Sequence, residues 1–176
     1  MDIRQAVDLL RAEGTHETYP VANPEAVAVT EAALGQLLPD SYKTFVQEFS
    51  NGAYLFEIQE VSAVGEGSRQ IMAIQNIQRP PAHATDVIPF REGGSTTYGR
   101  LIPFGLDGNG NEWCFVADGE LPGREYTVAY HHPAVRKLFG QLPSFTDWLE
   151  RLIQTRNEVI RTLYDDNVLY GELELG

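Results

Sequence analysis

The feature that most limits what this chain can fold into is a change of hydrophobic period near residue 53. Before this point apolar residues recur every three or four positions, as in amphipathic helices. After it, short β-branched and aromatic segments alternate with Gly, Pro, Asn and Asp, as in an antiparallel sheet. A helical pattern returns only at Ser144. Because the helices and strands are segregated, the sequence predicts an α+β fold with a mostly antiparallel sheet and helices on one face.

Three N-terminal helices are predicted, and each has recognisable ends. They cover residues 2–13, 23–35 and about 39–52. The second has proline at its first helical position, Pro24, where the missing N–H costs nothing. The third opens at Pro39 and ends in an Asn-Gly pair, which suits a left-handed helix stop.

Strands and one further helix fill the rest of the predicted fold. A loop of Asp, Gly and Asn at 107–111 favours a hairpin, because these residue types tolerate positive φ. Residues 77–89 predict an irregular connection. Ser144 is a candidate cap for a helix of roughly five turns that reaches Leu163. The predicted strands lie near 53–58, 61–64, 70–74, 101–104, 112–116 and 126–130.

Length and composition favour one domain over residues 1–176. The chain has 43% hydrophobic residues and no long polar stretch that would separate two cores. Its N-terminus lacks the pattern of a secretory signal, and no apolar run approaches the roughly 20 residues that cross a bilayer. A single cysteine, Cys114, cannot form an internal disulfide. We therefore expect a cytoplasmic protein.

The charge balance limits the kinds of partner. Asp and Glu number 25 against 13 Lys and Arg, which gives a formal charge of −12. Such a field repels nucleic acid and anionic lipid and attracts basic partners. Acidity can equally serve solubility alone, so charge by itself names no partner.

No catalytic motif stands out among the nucleophiles and bases. Cys114 is the only thiol, and His83, His131 and His132 are the histidines that could activate it. Cys114 lies mid-strand between two aromatic residues, which favours a packed, unreactive cysteine. His131 and His132 are adjacent, so in an extended chain they point opposite ways and cannot bind one metal. We interpret both as partly exposed loop histidines.

The hairpin loop resembles the start of a calcium loop, with oxygen ligands at alternate positions of 107–111. The sixth position is Glu112, where glycine is required, and the twelfth is Asp118. A tight turn explains the composition better. The sequence thus predicts no catalytic residue, no metal and no cofactor, and the protein is expected not to be an enzyme.

Three segments of the chain form a recognisable set of motifs. They are Leu-Gly, Leu-Pro-Asp-Ser-Tyr-Lys-Thr-Phe and Ser-Asn-Gly within 34–52, the hairpin at 101–115, and Leu-Pro-Ser-Phe-Thr-Asp-Trp-Leu at 142–149. Together they span about 31–153 and resemble signature blocks of the SUKH superfamily, which includes SMI/KNR-type cell-wall assembly regulators and bacterial toxin-immunity domains. The residues that carry the resemblance are Gly35, Leu38, Pro39, Tyr42, Phe45, Asn51, Gly52, Pro103, Phe104, Gly105, Asp107, Gly110, Trp113 and Phe145.

The resemblance implies protein recognition without catalysis. Bacterial members are similar to immunity proteins that neutralise toxins, often nucleases, so the implied partner is a basic toxin domain that this chain would occlude. A second reading is a regulatory interaction scaffold of the SMI/KNR type with no toxin partner. A third, an undetected hydrolase or ligand-binding protein, would need a deep pocket with convergent polar groups.

The partner-binding surface is predicted to include acids on loops and near the hairpin. Such carboxylates suit a basic partner, although many surface carboxylates are merely solvated. The candidates are Glu57, Glu60, Glu66, Asp107, Glu112, Asp118 and Glu120.

Overall fold

The computed structural model describes residues 1–77, 84–106, 110–118, 125–133 and 136–156. Its helices are α1 (Ile3–Glu13), α2 (Pro24–Leu34), α3 (Asp40–Glu48) and α4 (Phe145–Thr155). Its strands are β1 (Glu17–Thr18), β2 (Ala53–Leu55), β3 (Gln59–Val61), β4 (Val87–Pro89), β5 (Ser95–Thr97), β6 (Leu101–Leu106), β7 (Glu112–Val116), β8 (Thr127–His132) and β9 (Lys137–Leu142). The predicted α+β class is confirmed.

The strands form three antiparallel sheets that meet edge to edge. The largest has the order β6-β7-β8-β9, and the others are β1-β2-β3 and the β4-β5 hairpin. The Ser62 N–H, just after β3, donates to the Phe104 carbonyl of β6 at 2.7 Å. At the other edge, Phe90 bridges to Leu138 of β9. These links place the small sheets beside the edge strands of the large one.

A helical layer covers one face of the large sheet, as predicted. Helix α4 packs against α1, α3, β8 and β9. Aromatic rings fill the space between the layers. Phe104 stacks on Phe115 with 4.2 Å between ring centroids, and it meets Trp148 edge-on with 5.0 Å between ring centroids. The opposite face carries a second core of Ile88, Leu101, Cys114, Val116, Ala129 and Leu138. Within the described ranges, no helix is both long and apolar enough to cross a membrane.

Hydrogen bonds confirm the predicted ends of α2 and the predicted start of α4, whereas α3 ends at Glu48 with Phe49 in a right-handed conformation, before the predicted Asn51-Gly52 stop. The Asn23 side chain accepts from the Ala26 N–H at 2.8 Å, and α2 stops at Gly35 with φ of 68°. The Ser144 hydroxyl accepts from the Asp147 N–H at 3.2 Å and so caps α4. These contacts satisfy backbone groups that a helix leaves unpaired at its ends.

The residues that carry the family resemblance are mainly structural. Tyr42 is fully buried and its hydroxyl donates to the Ser62 carbonyl. The Asn51 side chain pairs with both backbone groups of Val64, donating at 3.2 Å and accepting at 2.8 Å. Gly52 has φ of 83°, a value that suits glycine. Other members of this set, Leu38, Phe45, Phe104, Trp113 and Phe145, are buried, whereas Asp107 lies outside the described residues.

Several local predictions need correction. Residues 70–74 do not form a strand, because Ala73 makes only an isolated bridge to Ala63. The histidines predicted in a loop belong to β8, and His131 is buried at 6% exposure. Strands β1, β4, β5 and β9 were not anticipated. Helix α4 ends at Thr155, and its predicted continuation to Leu163 lies outside the described ranges.

Candidate protein-binding site

Four side chains form what we call the acid–tyrosine face on the outer side of the β1-β2-β3 sheet: Glu17, Tyr19, Tyr54 and Glu60. Register places Glu17 opposite Tyr54, and Tyr54 opposite Glu60. Neighbours of Tyr54 and Glu60 within β2 and β3 are buried, whereas these two side chains are half-buried. Because alternate residues of a strand face opposite sides, the tyrosine lies between two carboxylates in one cross-strand row.

Hydrogen bonds hold both tyrosines of this face in place. The Tyr19 hydroxyl donates to Glu17 Oε1 at 2.6 Å, and the Tyr54 hydroxyl donates to the Gln70 carbonyl at 3.0 Å. The Tyr19 N–H donates to the Ser50 hydroxyl at 2.7 Å, which ties β1 to the end of α3. The rings are therefore ordered before a partner arrives, which lowers the entropy cost of binding.

Among the described residues, no neighbouring cation balances the negative charge of Glu60 on this face. Partial burial raises the pKa of Glu60, and burial followed by the charges of Glu60 and Glu17 raises the pKa of Tyr54. Burial, followed by the hydrogen bond to Glu17, raises the pKa of Tyr19. Within the described part of the chain, Glu60 has no Lys, Arg or His nitrogen within 4.0 Å. A cation brought by a partner would compensate the hydration that Glu60 has lost.

Two of the predicted acids share the β2–β3 hairpin. Glu60 lies in β3, and Glu57 occupies the exposed turn with φ of 72°. The adjacent Ile58 side chain is 44% exposed, so the turn presents an apolar residue beside the acids. Glu66 lies in another exposed turn after β3.

The remaining predicted acids do not join this group. Glu112 and Asp118 lie at opposite ends of β7. Glu112 Oε1 lies 3.1 Å from His131 Nδ1, and Asp118 Oδ1 lies 2.8 Å from Arg100 Nη1, so both carboxylates already have partners. Asp107 and Glu120 lie outside the described residues.

Sequence reasoning missed Glu17, Tyr19 and Tyr54. Tyr54 could have been identified from its place in a predicted strand. If its neighbours Ala53 and Leu55 face the core, the alternation of a strand turns Tyr54 outward. Glu17 and Tyr19 lie between the first two predicted helices, where a two-residue strand with both residues exposed leaves no hydrophobic pattern.

The thiol and the histidine considered for catalysis are both buried and packed against neighbouring side chains. Cys114 is fully buried in the second core. The His131 ring contacts Tyr98 edge-on at 5.4 Å in addition to its contact with Glu112. The described residues contain no group of three or more His, Cys, Asp or Glu placed to hold a metal ion.

A known family model matches most of the chain. Residues 21–151 match the model of the SMI1 / KNR4 family (SUKH-1). No curated protein matches the chain. Tyr54 and Glu60 fall inside the matched range, whereas Glu17 and Tyr19 precede it.

Proposed function

The chain belongs to the SMI1/KNR4 family (SUKH-1), and from this premise we propose that it is a non-enzymatic protein-binding domain with a basic protein partner. More specifically, we propose an immunity protein that neutralises a toxin, such as a nuclease, by covering it. The alternative is a regulatory interaction scaffold whose partner is not a toxin. In both cases binding uses the acid–tyrosine face.

The observation that carries this proposal is the cross-strand row Glu17–Tyr54–Glu60. Tyrosine supplies a large, rigid contact area at low entropy cost and is frequent at binding hot spots. The flanking carboxylates favour Lys or Arg on the partner, and Glu60 is half-buried without a cation among the described residues. The acids and the tyrosine thus favour the same class of partner.

The formal charge of −12 extends this preference beyond the contact surface. A field of one sign accelerates encounter with an oppositely charged protein, and the effect weakens as salt is added. Nuclease toxins need a cationic surface to hold the phosphate backbone. An acidic domain placed over that surface would exclude the substrate sterically and by charge, with no covalent step.

The proposal is tested with the tagged protein captured from its native cells together with products of neighbouring genes. We expect a basic toxin domain whose activity is suppressed at a near-equimolar ratio. Capture of a basic partner with unchanged activity would favour the regulatory scaffold. Failure to capture any basic protein would reject both.

A matched pair of double variants locates the surface. Glu17→Gln with Glu60→Gln removes two charges from the acid–tyrosine face, whereas Asp8→Asn with Glu92→Gln removes two exposed charges elsewhere. Net charge is then equal in the two proteins. We expect at least about tenfold weaker binding for the first and less than about threefold for the second. Equal losses would reject this face.

A further inference from the structure

The β2–β3 hairpin turns through three residues that we call the hairpin tip: Phe56, Glu57 and Ile58. Leu55 pairs with Gln59, so the tip lies outside the register of the two strands. Phe56 and Glu57 have φ of 50° and 72°, in the left-handed region that disfavours residues with a Cβ. Such turns normally use Gly, Asn or Asp. The tip is therefore built from residues that do not suit its backbone.

Contacts within the fold account for Phe56. Its side chain is 9% exposed, and its ring meets the His16 ring edge-on with 4.7 Å between ring centroids. The Phe56 N–H also donates to His16 Nδ1 at 3.1 Å. Packing and this hydrogen bond offset the backbone strain and hold the turn in one conformation. The tip is thus ordered before any partner arrives, which lowers the entropy cost of binding.

Glu57 receives no such compensation from the described residues. Its side chain is exposed, and the described ranges place no Lys, Arg or His nitrogen within 4.0 Å of its carboxylate. Asparagine would adopt this backbone more easily. Ile58, the next residue, leaves an apolar side chain 44% exposed. A single exposed apolar residue is common, but two adjacent residues that the fold itself does not favour are typical of a functional site.

We propose that the hairpin tip is the apolar anchor of the interface, in which Ile58 enters an apolar pocket of the basic partner and Glu57 pairs with a Lys or Arg at the rim of that pocket. This inference rests on the proposed function, because it assigns the tip to the same partner as the acid–tyrosine face. The tip adjoins that face, since Glu60 follows Ile58 by two residues. An apolar centre with charged contacts at its rim is the usual arrangement of a protein interface.

A second copy of the chain and a lipid surface suit the tip less well. In a symmetric dimer built on the tip, Glu57 of one copy would approach Glu57 of the other. Each copy would also bring a formal charge of −12, which opposes self-association. An anionic bilayer would repel the acids in the same way. A protein that places a cation beside an apolar pocket satisfies both Glu57 and Ile58.

The apolar anchor is tested with the full chain, and the probe is the basic protein captured from native cells. Ile58→Ser is expected to weaken binding at least about tenfold, and Ile58→Leu to retain the affinity within about threefold. Leu9→Ser is the matched control, because Leu9 is 43% exposed on α1. It should change the affinity less than about twofold. Thermal melts should show all three variants folded.

The outcomes separate this inference from the proposed function. Equal affinity losses in Ile58→Ser and Leu9→Ser, or wild-type affinity in Ile58→Ser, would overturn the anchor and leave the acid–tyrosine face in place. A wild-type dimer that Ile58→Ser dissociates would overturn it in favour of a second copy. Vesicles of phosphatidylcholine and phosphatidylserine that bind the wild type but not Ile58→Ser would overturn it in favour of lipid. If the wild type captures no basic protein, the proposed function fails and the anchor fails with it.

Two variants of Glu57 separate backbone strain from charge. Glu57→Asn and Glu57→Gln both remove the carboxylate, so both are expected to weaken binding at least about threefold. Only asparagine suits the left-handed backbone, so Glu57→Asn should melt about 2 °C above Glu57→Gln. The melting comparison needs no partner. Equal melting temperatures, or wild-type affinity in both variants, would overturn the role given to Glu57.

Discussion

Glu125 accepts two hydrogen bonds from Ser41, one from the backbone N–H and one from the hydroxyl, each 2.7 Å long. Helix α3 begins after Pro39 and has no side-chain cap at that position. The carboxylate of a residue far along the chain therefore satisfies a backbone N–H that the first turn leaves unpaired. It also attaches the segment before β8 to the helix that supplies Tyr42 to the core.

Removal of this remote cap should destabilise the protein. Glu125→Ala is expected to lower the free energy of unfolding by about 1–2 kcal/mol, because the Ser41 N–H and hydroxyl lose their acceptor. Glu125→Gln keeps an oxygen for the N–H and is expected to cost less. Urea unfolding of the three proteins measures this order, and an Ala variant as stable as the wild type would contradict it.

His16 should make stability depend on pH. Its Nδ1 accepts from the Phe56 N–H at 3.1 Å, the two rings meet edge-on at 4.7 Å, and the imidazole is only 2% exposed. Burial lowers the pKa of His16, an effect that Glu13 opposes and Arg156 reinforces. The folded protein therefore favours the neutral ring. The stabilisation that the neutral ring contributes is present above the unfolded pKa of about 6.5 and is lost as pH falls toward the folded pKa.

The comparison is wild type against His16→Asn, whose carbonyl can accept the same N–H without titrating. Between about pH 7 and about pH 5, the wild type should lose more unfolding free energy than the variant. The protection of the Phe56 amide against hydrogen exchange, relative to its intrinsic rate at each pH, should fall on acidification only in the wild type. Identical pH profiles for the two proteins would show that His16 does not titrate in this range.

The sequence predicts best where local chemistry decides the structure. Asn23 with Pro24, and Ser144 with Asp147, specify helix starts through contacts within one turn. The cap of α3 could not be foreseen, because Glu125 and Ser41 meet only in the tertiary fold. The β6–β7 hairpin was predicted from its strands. Strand β9 was missed because its apolar pattern is short and is interrupted by Gly140, which has φ of 68°.

The candidate site was only partly predictable for a related reason. Glu57 and Glu60 were selected as acids near strands, and Glu60 lies on the acid–tyrosine face. Its neighbours Glu17 and Tyr54 are far apart in sequence and become adjacent only through the β1–β2 register. Glu112 was selected for its place near the predicted hairpin, which could not show that His131 contacts it.

Gly52 should not tolerate a side chain. A Cβ at this position would lie 2.6 Å from Ile71 Cγ2 and 3.2 Å from Ala63 Cβ, and φ is 83°. Gly14→Ala is the matched control, since Gly14 has φ of 63° and nothing within 4 Å of its added Cβ. The control should cost about 1 kcal/mol from backbone strain alone, and Gly52→Ala clearly more because packing is also disturbed. Equal losses in thermal unfolding would contradict the predicted clash.

The central claim is that the acid–tyrosine face binds a basic protein, and site-specific photo-crosslinking in native cells tests it most directly. The photoreactive residue p-benzoylphenylalanine replaces Tyr54 in one protein and Leu9, which is 43% exposed on α1, in the other. We expect a discrete adduct with a basic protein from position 54 and none from position 9. An adduct only at position 9, or an acidic protein captured at position 54, would contradict the claim.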